Sequence, residues 1–419
     1  MYIAVASEIA SPANRPRDLR DRNLRLVVRL FREKGILSIQ EAAAETDLSR
    51  TTTAKIIAYL LECGLILPLG KGSSTPDGGK RPEVFCLNAS SVCVISAFFT
   101  HLGITGVLYD LNCDRLSDLS VKTGISYEEN ADALAQAVTE LQKRSGLSPG
   151  QLCGIAVGCS GIVDTGRGVL RYPNRVGWEP GLDIAGDLQS RLNFPAKIYV
   201  DNTCRYFGYA EANLSHGRGE GTMATVYSDR FSGGCVITGD KLLRGPGGFV
   251  GELGHMVLDA DSKAVCACGA SGCFEALVSG ANVAAYAEEI AGQFPNSPLH
   301  DETVWGLQDF FAASNNMDPF AMAVMDKVVG YFAALIRNII LLHDPRRVVI
   351  QGAYADGGEY FLLALREAVQ NYPFYGIKHS PEITYSQLNF TSDNPDNFAL
   401  GGAIYAVDNY IGQFVRAKP

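Results

Sequence analysis

From residue 91 onward, short β-forming runs alternate with helical segments, and ahead of them lie three closely spaced amphipathic helices and a hairpin. Together these predict an α/β protein in two units, led by a small winged helix-turn-helix. A third observation, four soft ligands compressed between Gly251 and Glu275, places a metal knuckle in the second unit. A chain of 419 residues with 47% hydrophobic content can bury more than one core. The expected divisions are an N-terminal arm at 1–16, the head at 17–90, a first lobe at 91–200 completed by a C-terminal helix at 400–419, and a second lobe at 201–399.

In the head, Leu19, Leu24, Val27, Val28 and Phe31 recur near the 3.6-residue period and predict a helix from Asp18 to Lys34, followed by a short β-like Ile36-Leu37. Ser38 caps a second helix over Ile39 to Thr46, with Glu41 at the capping-box position, and Asp47-Leu48 makes the turn. Ser49 caps a third helix, Arg50 to Cys63, whose Thr53, Ile56, Ile57, Leu60 and Leu61 form an inward stripe, and Gly64 ends it. Leu65 to Leu69 and Glu83 to Leu87, joined by a Gly/Ser/Pro-rich tip, form the hairpin. The outer face of the third helix carries Arg50, Thr51, Thr52 and Lys55, side chains able to reach base edges in a major groove, and Lys80 and Arg81 on the wing suit phosphates. Pattern alone also allows a three-helix packing module that never touches DNA.

The body opens with two antiparallel strands, Val92 to Thr100 and Gly103 to Leu111, then a helix from Tyr127 to Gly146 and strands at Gly154 to Gly158 and Ala196 to Val200. Met223 to Tyr227 and Gly234 to Thr238 begin the second unit, which continues with a helix ending at Leu342 and a strand at Arg347 to Gln351. The chain closes on a helix from Gly401 to Phe414. The apolar run from Phe320 to Leu342 is interrupted by Asp326, Lys327 and Arg337, so it reads as a core helix and not a membrane span.

Charge restricts the partners. The chain carries a net −9, yet residues 1–90 hold 13 Lys+Arg against 10 Asp+Glu while the remainder holds 23 against 35, so only the head is fit to approach phosphates. The first twenty residues lack a basic leader and carry Glu8, unlike a secretion signal, and the eleven cysteines with a thiolate site point to a reducing cytoplasm. A soluble cytoplasmic protein without membrane contact is expected.

His255, Cys266, Cys268 and Cys273 supply one imidazole and three thiols, enough to close a tetrahedral zinc site of structural type, with Gly269 and Gly272 permitting the tight turns. Ordinary reduced cysteines beside a packed histidine are the competing explanation. The run ExGH followed by CxCGxxGCxE resembles the signature of the ROK family of repressors and sugar kinases, and the resemblance extends over about residues 91–419. It implies the actin-like, ribonuclease-H-like two-lobe ATPase fold with a sugar in the cleft between the lobes. A winged helix-turn-helix ahead of that body resembles the regulator branch.

ROK kinases carry a DxGxT-type turn after the first strand, where glycine amides cradle ATP phosphates. The corresponding segment here is Phe98-Phe99-Thr100-His101-Leu102, which would confront phosphate with aromatic bulk. The second phosphate loop falls at Ser228-Asp229-Arg230-Phe231 and the adenosine segment at Gln351-Gly352-Ala353-Tyr354. Of the family's Asn-Asp pair, Asn202 keeps the asparagine and Thr203 takes the place of the base, with Asp201 one residue before. No catalytic residue is therefore expected. Asn174 in a PNLxGW-like run, Asn202, Glu252, His255 and Glu275 match the family's sugar-contacting positions, where carboxylates accept from adjacent hydroxyls. Taken singly, these carboxylates could equally serve turn amides or arginines. The resemblance implies a repressor-like regulator that binds double-stranded operator DNA and a carbohydrate effector as a homodimer or homotetramer, with recognition helices about 34 Å apart. A sugar kinase, or a sugar-binding protein without DNA recognition, are the alternatives.

Overall fold

Local capping and helical periodicity build the head. The computed structural model describes residues 16–72, 81–101, 103–214, 221–239, 241–300, 304–372, 379–388, 390 and 394–417. Helix α1 (Pro16–Lys34) is followed by β1 (Leu37–Ser38), α2 (Ile39–Thr46) and α3 (Arg50–Glu62), then β2 (Ile66–Lys71) and β3 (Glu83–Leu87). The capping box on α2 is complete: Glu41 N–H donates to Ser38 Oγ at 3.2 Å and Ser38 N–H to Glu41 Oε2 at 2.8 Å. Asp47, at φ 55°, closes α2 in the left-handed region, and Ser49 caps α3 through the Thr52 amide at 3.1 Å. The wing and β1 make a three-stranded sheet in the order β1-β3-β2, so the head adds a strand to the expected hairpin.

The first unit comprises β4 (Cys93–Thr100), β5 (Gly103–Asp110), β6 (Arg115–Lys122), α4 (Tyr127–Arg144), β7 (Leu152–Cys159), the ribbon β8 (Gly161–Asp164) and β9 (Val169–Pro173), α5 (Ile184–Arg191) and β10 (Ile198–Asn202). Helix α6 (Thr203–Leu214) leads to the second unit: β11 (Thr222–Ser228), β12 (Ser232–Thr238), β13 (Lys241–Leu242), α7 (Phe274–Leu277), α8 (Gly280–Ile290), α9 (Leu307–Asn315), α10 (Pro319–His343), β14 (Arg347–Gly352), α11 (Gly358–Gln370) and β15 (Glu382–Tyr385). Helix α12 (Pro395–Ala417) closes the chain.

The two five-stranded sheets repeat one plan. In the order β10-β7-β4-β5-β6, the β4-β5-β6 meander is antiparallel, and β7 and β10 run parallel to β4. In β13-β12-β11-β14-β15, the β11-β12-β13 meander is antiparallel, and β14 and β15 run parallel to β11. This is the two-lobe actin-like, ribonuclease-H-like fold that the family resemblance implied. The boundary expected at 200/201 falls inside β10, because Asp201 and Asn202 pair with Gly158 and Cys159 of β7. The C-terminal helix begins earlier than expected and, as expected, returns to the first unit, packing on β7 and β4.

Helix α10 is long and apolar enough to cross a membrane, but it is the central helix of the second unit's core, with Phe320, Val324, Val328, Phe332 and Ile336 buried. Helix α6 lies between α12 and β12, so these two helices form the layer between the sheets. The head is not a bead on a string. One continuous apolar cluster runs from Leu24, Val27, Val28 and Phe31 of α1 to Val107 and Leu111 of the first unit and Val407 and Ile411 of α12. Head and body should therefore unfold together. Phe31→Ala, at a side chain 1% exposed, is expected to cost about 3–5 kcal/mol. Its thermal melt should remain a single transition shifted downward, not split into a labile head and an unchanged body.

Candidate functional site

Parallel strands place their functional residues at their C-terminal ends, where backbone emerges from the sheet into a cleft. Strand β10 ends on Asp201 and Asn202, and β7 ends beside Ser160 and Gly161. Asn202 Nδ2 donates to Gly161 O at 2.9 Å and to Glu252 Oε1 at 3.2 Å, while its Oδ1 accepts from the Cys204 amide at 2.8 Å. Glu252 thus reaches from the second unit to the end of a first-unit strand. Burial pushes its carboxyl up to about 7, against the pull of Arg205 Nη2 at 3.8 Å, with Glu275 and Asp201 adding to the rise.

The loop carrying Glu252 is held by arginine. Arg205, one turn into α6 and 3% exposed in its side chain, donates to Val250 O through Nε at 3.0 Å and Nη2 at 2.8 Å, to Gly248 O, and to Asp201 Oδ1 at 2.9 Å. Arg244 reaches the other Asp201 oxygen at 2.5 Å, and its guanidinium lies over the Tyr405 ring of α12 at 5.5 Å. The loop passes so close to β12 that a Cβ at Gly251, φ 97°, would stand 2.5 Å from Gly234 O.

Beyond Glu252, a single 3-10 turn sets His255 against the cysteine knuckle. The donor atoms of His255, Cys266, Cys268 and Cys273 all lie within 4.8 Å of one another. His255 Nδ1 is 3.5 Å from Cys266 Sγ, and Cys268 Sγ is 3.6 Å from Cys273 Sγ. A tetrahedron with metal–sulfur bonds of about 2.3 Å has sulfur–sulfur edges of about 3.8 Å, so the four donors are already spaced to hold one ion. The turn between them requires glycine, since a Cβ at Gly272, φ 71°, would stand 1.7 Å from Asp259 O. Glu275, in the first turn of α7, accepts from the Ser232 amide at 2.6 Å and faces Cys266 Sγ at 3.8 Å.

Of the five positions expected to hold an effector, Asn202, Glu252, His255 and Glu275 converge on this ledge between the two sheets. Asn174 stands exposed after β9, its amide donating to Ser160 O at 3.1 Å, and so borders the same strand end from the outside. In the head, Arg50, Thr51 and Lys55 are exposed along α3, and Arg81 is exposed at the base of the wing. Thr52 is half-buried, and its hydroxyl is engaged with Ser49 Oγ at 2.8 Å, which leaves it less available to a base than the other three. Lys80 lies outside the described residues.

The ROK family profile matches residues 103–408, well over half of the chain. The chain belongs to the ROK family. A xylose repressor of Bacillus subtilis is 23% identical over 393 residues, spanning 93% of this chain and 96% of its own length. A glucokinase of Halalkalibacterium halodurans is 26% identical over 262 residues, spanning 62% of this chain and 77% of its own. Among solved structures, a ROK family transcriptional regulator homologous to the Escherichia coli MLC protein superposes with a TM-score of 0.75 at 18% identity. That match covers 95% of this chain and all of the other, and at that identity it shows the shared fold.

The segments that the resemblance matched to the family's phosphate loops contribute rings to an aromatic cluster. Phe98 of β4 lies 4.2 Å from Phe398 of α12, centroid to centroid. Phe207 of α6 lies 4.5 Å from Phe398, 4.6 Å from Phe390 and 4.9 Å from Tyr227 of β11, and Tyr227 lies 5.0 Å from Phe231 of the β11–β12 turn. Thr203 is buried at the start of α6. Neither the aromatic cluster nor the arginine clamp was read from the sequence. Asp201 and Arg205 do stand four apart, but a strand-to-helix junction runs between them, so helical pairing gave no signal. Removing Arg205 would leave a buried carboxylate half-compensated and the 248–252 loop unanchored. Arg205→Ala is expected to cost about 3–5 kcal/mol, read from the urea midpoint. Arg205→Lys should recover little of it, because a single ammonium cannot reach the two carbonyls and the carboxylate together.

Proposed function

We propose that this ROK protein is a DNA-binding transcription regulator of carbohydrate-related genes, most simply a repressor, whose body senses a sugar or sugar derivative and transfers no phosphate. The observation that carries the reading is the fusion, through one continuous core, of a head bearing an exposed Arg50, Thr51 and Lys55 face to a sugar-kinase fold. The xylose repressor that matches nearly the whole chain supports it. Helix α3 would enter a major groove and Arg81 on the wing would meet phosphate. A homodimer or homotetramer would set two such helices about one DNA turn, roughly 34 Å, apart. The protein would work in the cytoplasm.

A carbohydrate would sit at Asn174, Asn202, Glu252, His255 and Glu275, with paired hydroxyls donating to the carboxylates. His255 Nδ1 faces the cysteines, which leaves Nε2 for a hydroxyl and lets a metal fix the tautomer. Three thiols and one imidazole suit zinc, and four protein donors leave no position for a reactive water, so the zinc would be structural.

A ROK-type sugar kinase is the second reading, prompted by the glucokinase relative. Against it stand the aromatic rings at the phosphate loops and the two guanidiniums that hold Asp201, the nearest carboxylate to the vacant base position. A carboxylate engaged on both oxygens is poorly placed to take a proton from a sugar hydroxyl.

Selection of bound duplexes from a random pool, repeated with a carbohydrate library present, tests the reading. A two-half-site operator whose binding changes about 5–150-fold with one carbohydrate is the expected result. Binding that lacks sequence preference and collapses with salt would make the head a non-specific surface. ATP turnover with a hexose panel should stay at background, and robust phosphoryl transfer would establish the kinase reading instead. Metal analysis should find about one zinc per chain, and its chelation should disorder residues 255–275, since structural zinc supplies on the order of 10 kcal/mol. A chelated chain with unchanged proteolytic resistance there would rule out the structural role.

A further inference from the structure

The contact between head and body contains a buried charge that its packing does not need. Helix α1 meets α12 across an apolar surface of Val27, Val28, Phe31, Val407 and Ile411, yet within it Asp408 of α12 is completely buried. Arg29 of α1 forms an ion pair with Asp408 and donates to the Tyr209 hydroxyl at 3.1 Å, and the Tyr209 hydroxyl donates to Asp408 Oδ2 at 2.7 Å. Three helices thus meet at one carboxylate: α1 of the head, α12 of the C-terminus and α6.

We infer that this Arg29–Asp408–Tyr209 junction is the element that conveys the state of the sugar cleft to the DNA-binding head, an inference that rests on the regulator reading above. Helix α6 starts directly after Asn202, the residue that bonds Glu252 across the cleft, and Arg205 in its first turn anchors the loop that carries Glu252. Tyr209 lies seven positions beyond Asn202, about 10 Å along the same rigid helix. A displacement of the cleft loop is therefore delivered to Tyr209 without passing through a flexible segment. An apolar contact could slide under such a displacement with little change in energy. A buried charge cannot: moved off its partners it is left desolvated and uncompensated, so α1 must follow α6 and α12 or the junction must open. Replacing such a pair with apolar side chains is often neutral or stabilising, so its value here is in fixing geometry and not in adhesion. Arg25 and Arg32, on the same face of α1, add positive charge around Asp408 and bias it toward its ionised, paired state.

The test is hydrogen exchange on the full chain, free and bound to a random-sequence DNA duplex at low salt, which needs no knowledge of the effector. In the unmodified protein, duplex binding is expected to change exchange of the 203–209 amides and of the 248–256 loop by about fivefold or more. In the paired variant Arg29→Met with Asp408→Leu, which keeps the contact apolar and foldable, and in Asp408→Asn, duplex affinity should persist. The distant change should fall to within about twofold of none. Persistence of the change in both variants, or its absence in the unmodified protein while DNA binds, overturns the inference and leaves the regulator reading intact. Failure of the unmodified protein to bind any duplex removes both.

Discussion

Two sheets of identical plan are joined here by the α6–α12 layer and by the loop that carries Arg244 and Glu252. The Glu252 loop, the aromatic cluster and the head all touch that layer. Asn202 immediately precedes α6, Arg205 reaches out of its first turn to hold the Glu252 loop, Tyr209 meets the head, and Phe207 sits in the aromatic cluster with Phe398 of α12. One helix thus touches the Glu252 loop, the aromatic cluster and the head at once. This follows from the topology: a chain that leaves the first sheet at the C-terminal end of β10 must cross to the second, and the crossing element is in reach of everything at the sheet ends.

Three carboxylates are buried along this layer, Asp201, Glu211 and Asp408, and each is matched by arginine, Glu211 by Arg347 at 3.9 Å. Asp201 is held by Arg205 and Arg244, and Asp408 by Arg29 with Tyr209. For Asp408, burial alone would raise the pKa, but Arg29, Arg32 and the Tyr209 hydroxyl outweigh burial and hold it below the usual range. Such groups contribute little net adhesion, yet they penalise any arrangement in which their partners part. The aromatic rings between them act in the opposite sense. They fill volume, tolerate tilt, and in this chain occupy the segments that in a sugar kinase cradle phosphate.

The head was legible almost to the residue, because its elements are set by local chemistry: the Ser38–Glu41 box, the left-handed Asp47, the Ser49 cap and Gly64 fixed each boundary. The knuckle was legible for the same reason, since its ligands lie within one short segment. Strands β4, β5, β7, β11, β12 and β14 were found because buried strands read as apolar runs. Strand β6 was missed because it is an edge strand, largely exposed, with charges at Arg115, Asp118 and Lys122 that hide its period. The end of β10 was placed two residues early because Asp201 and Asn202 look like loop residues, although they are paired to β7. What could not be read from the sequence is what depends on distant segments meeting: Arg244 with Asp201, Arg29 with Asp408, and Phe98 with Phe398.

That division has a physical cause that bears on how the fold came to serve two ends. The ledge at Asn202, Glu252, His255 and Glu275 is assembled from a strand end and one loop, and its geometry is set by Arg205, the close approach of Gly251 to β12 and the four-donor knuckle. A head attached by an apolar face alone would gain stability from that face but no information about the cleft. Adding one buried carboxylate at the shared contact, at modest cost in stability, converts the attachment into a joint whose angle is specified. In this chain the same two helices therefore lie between the sheets, carry Phe207 and Phe398 of the aromatic cluster and meet the head.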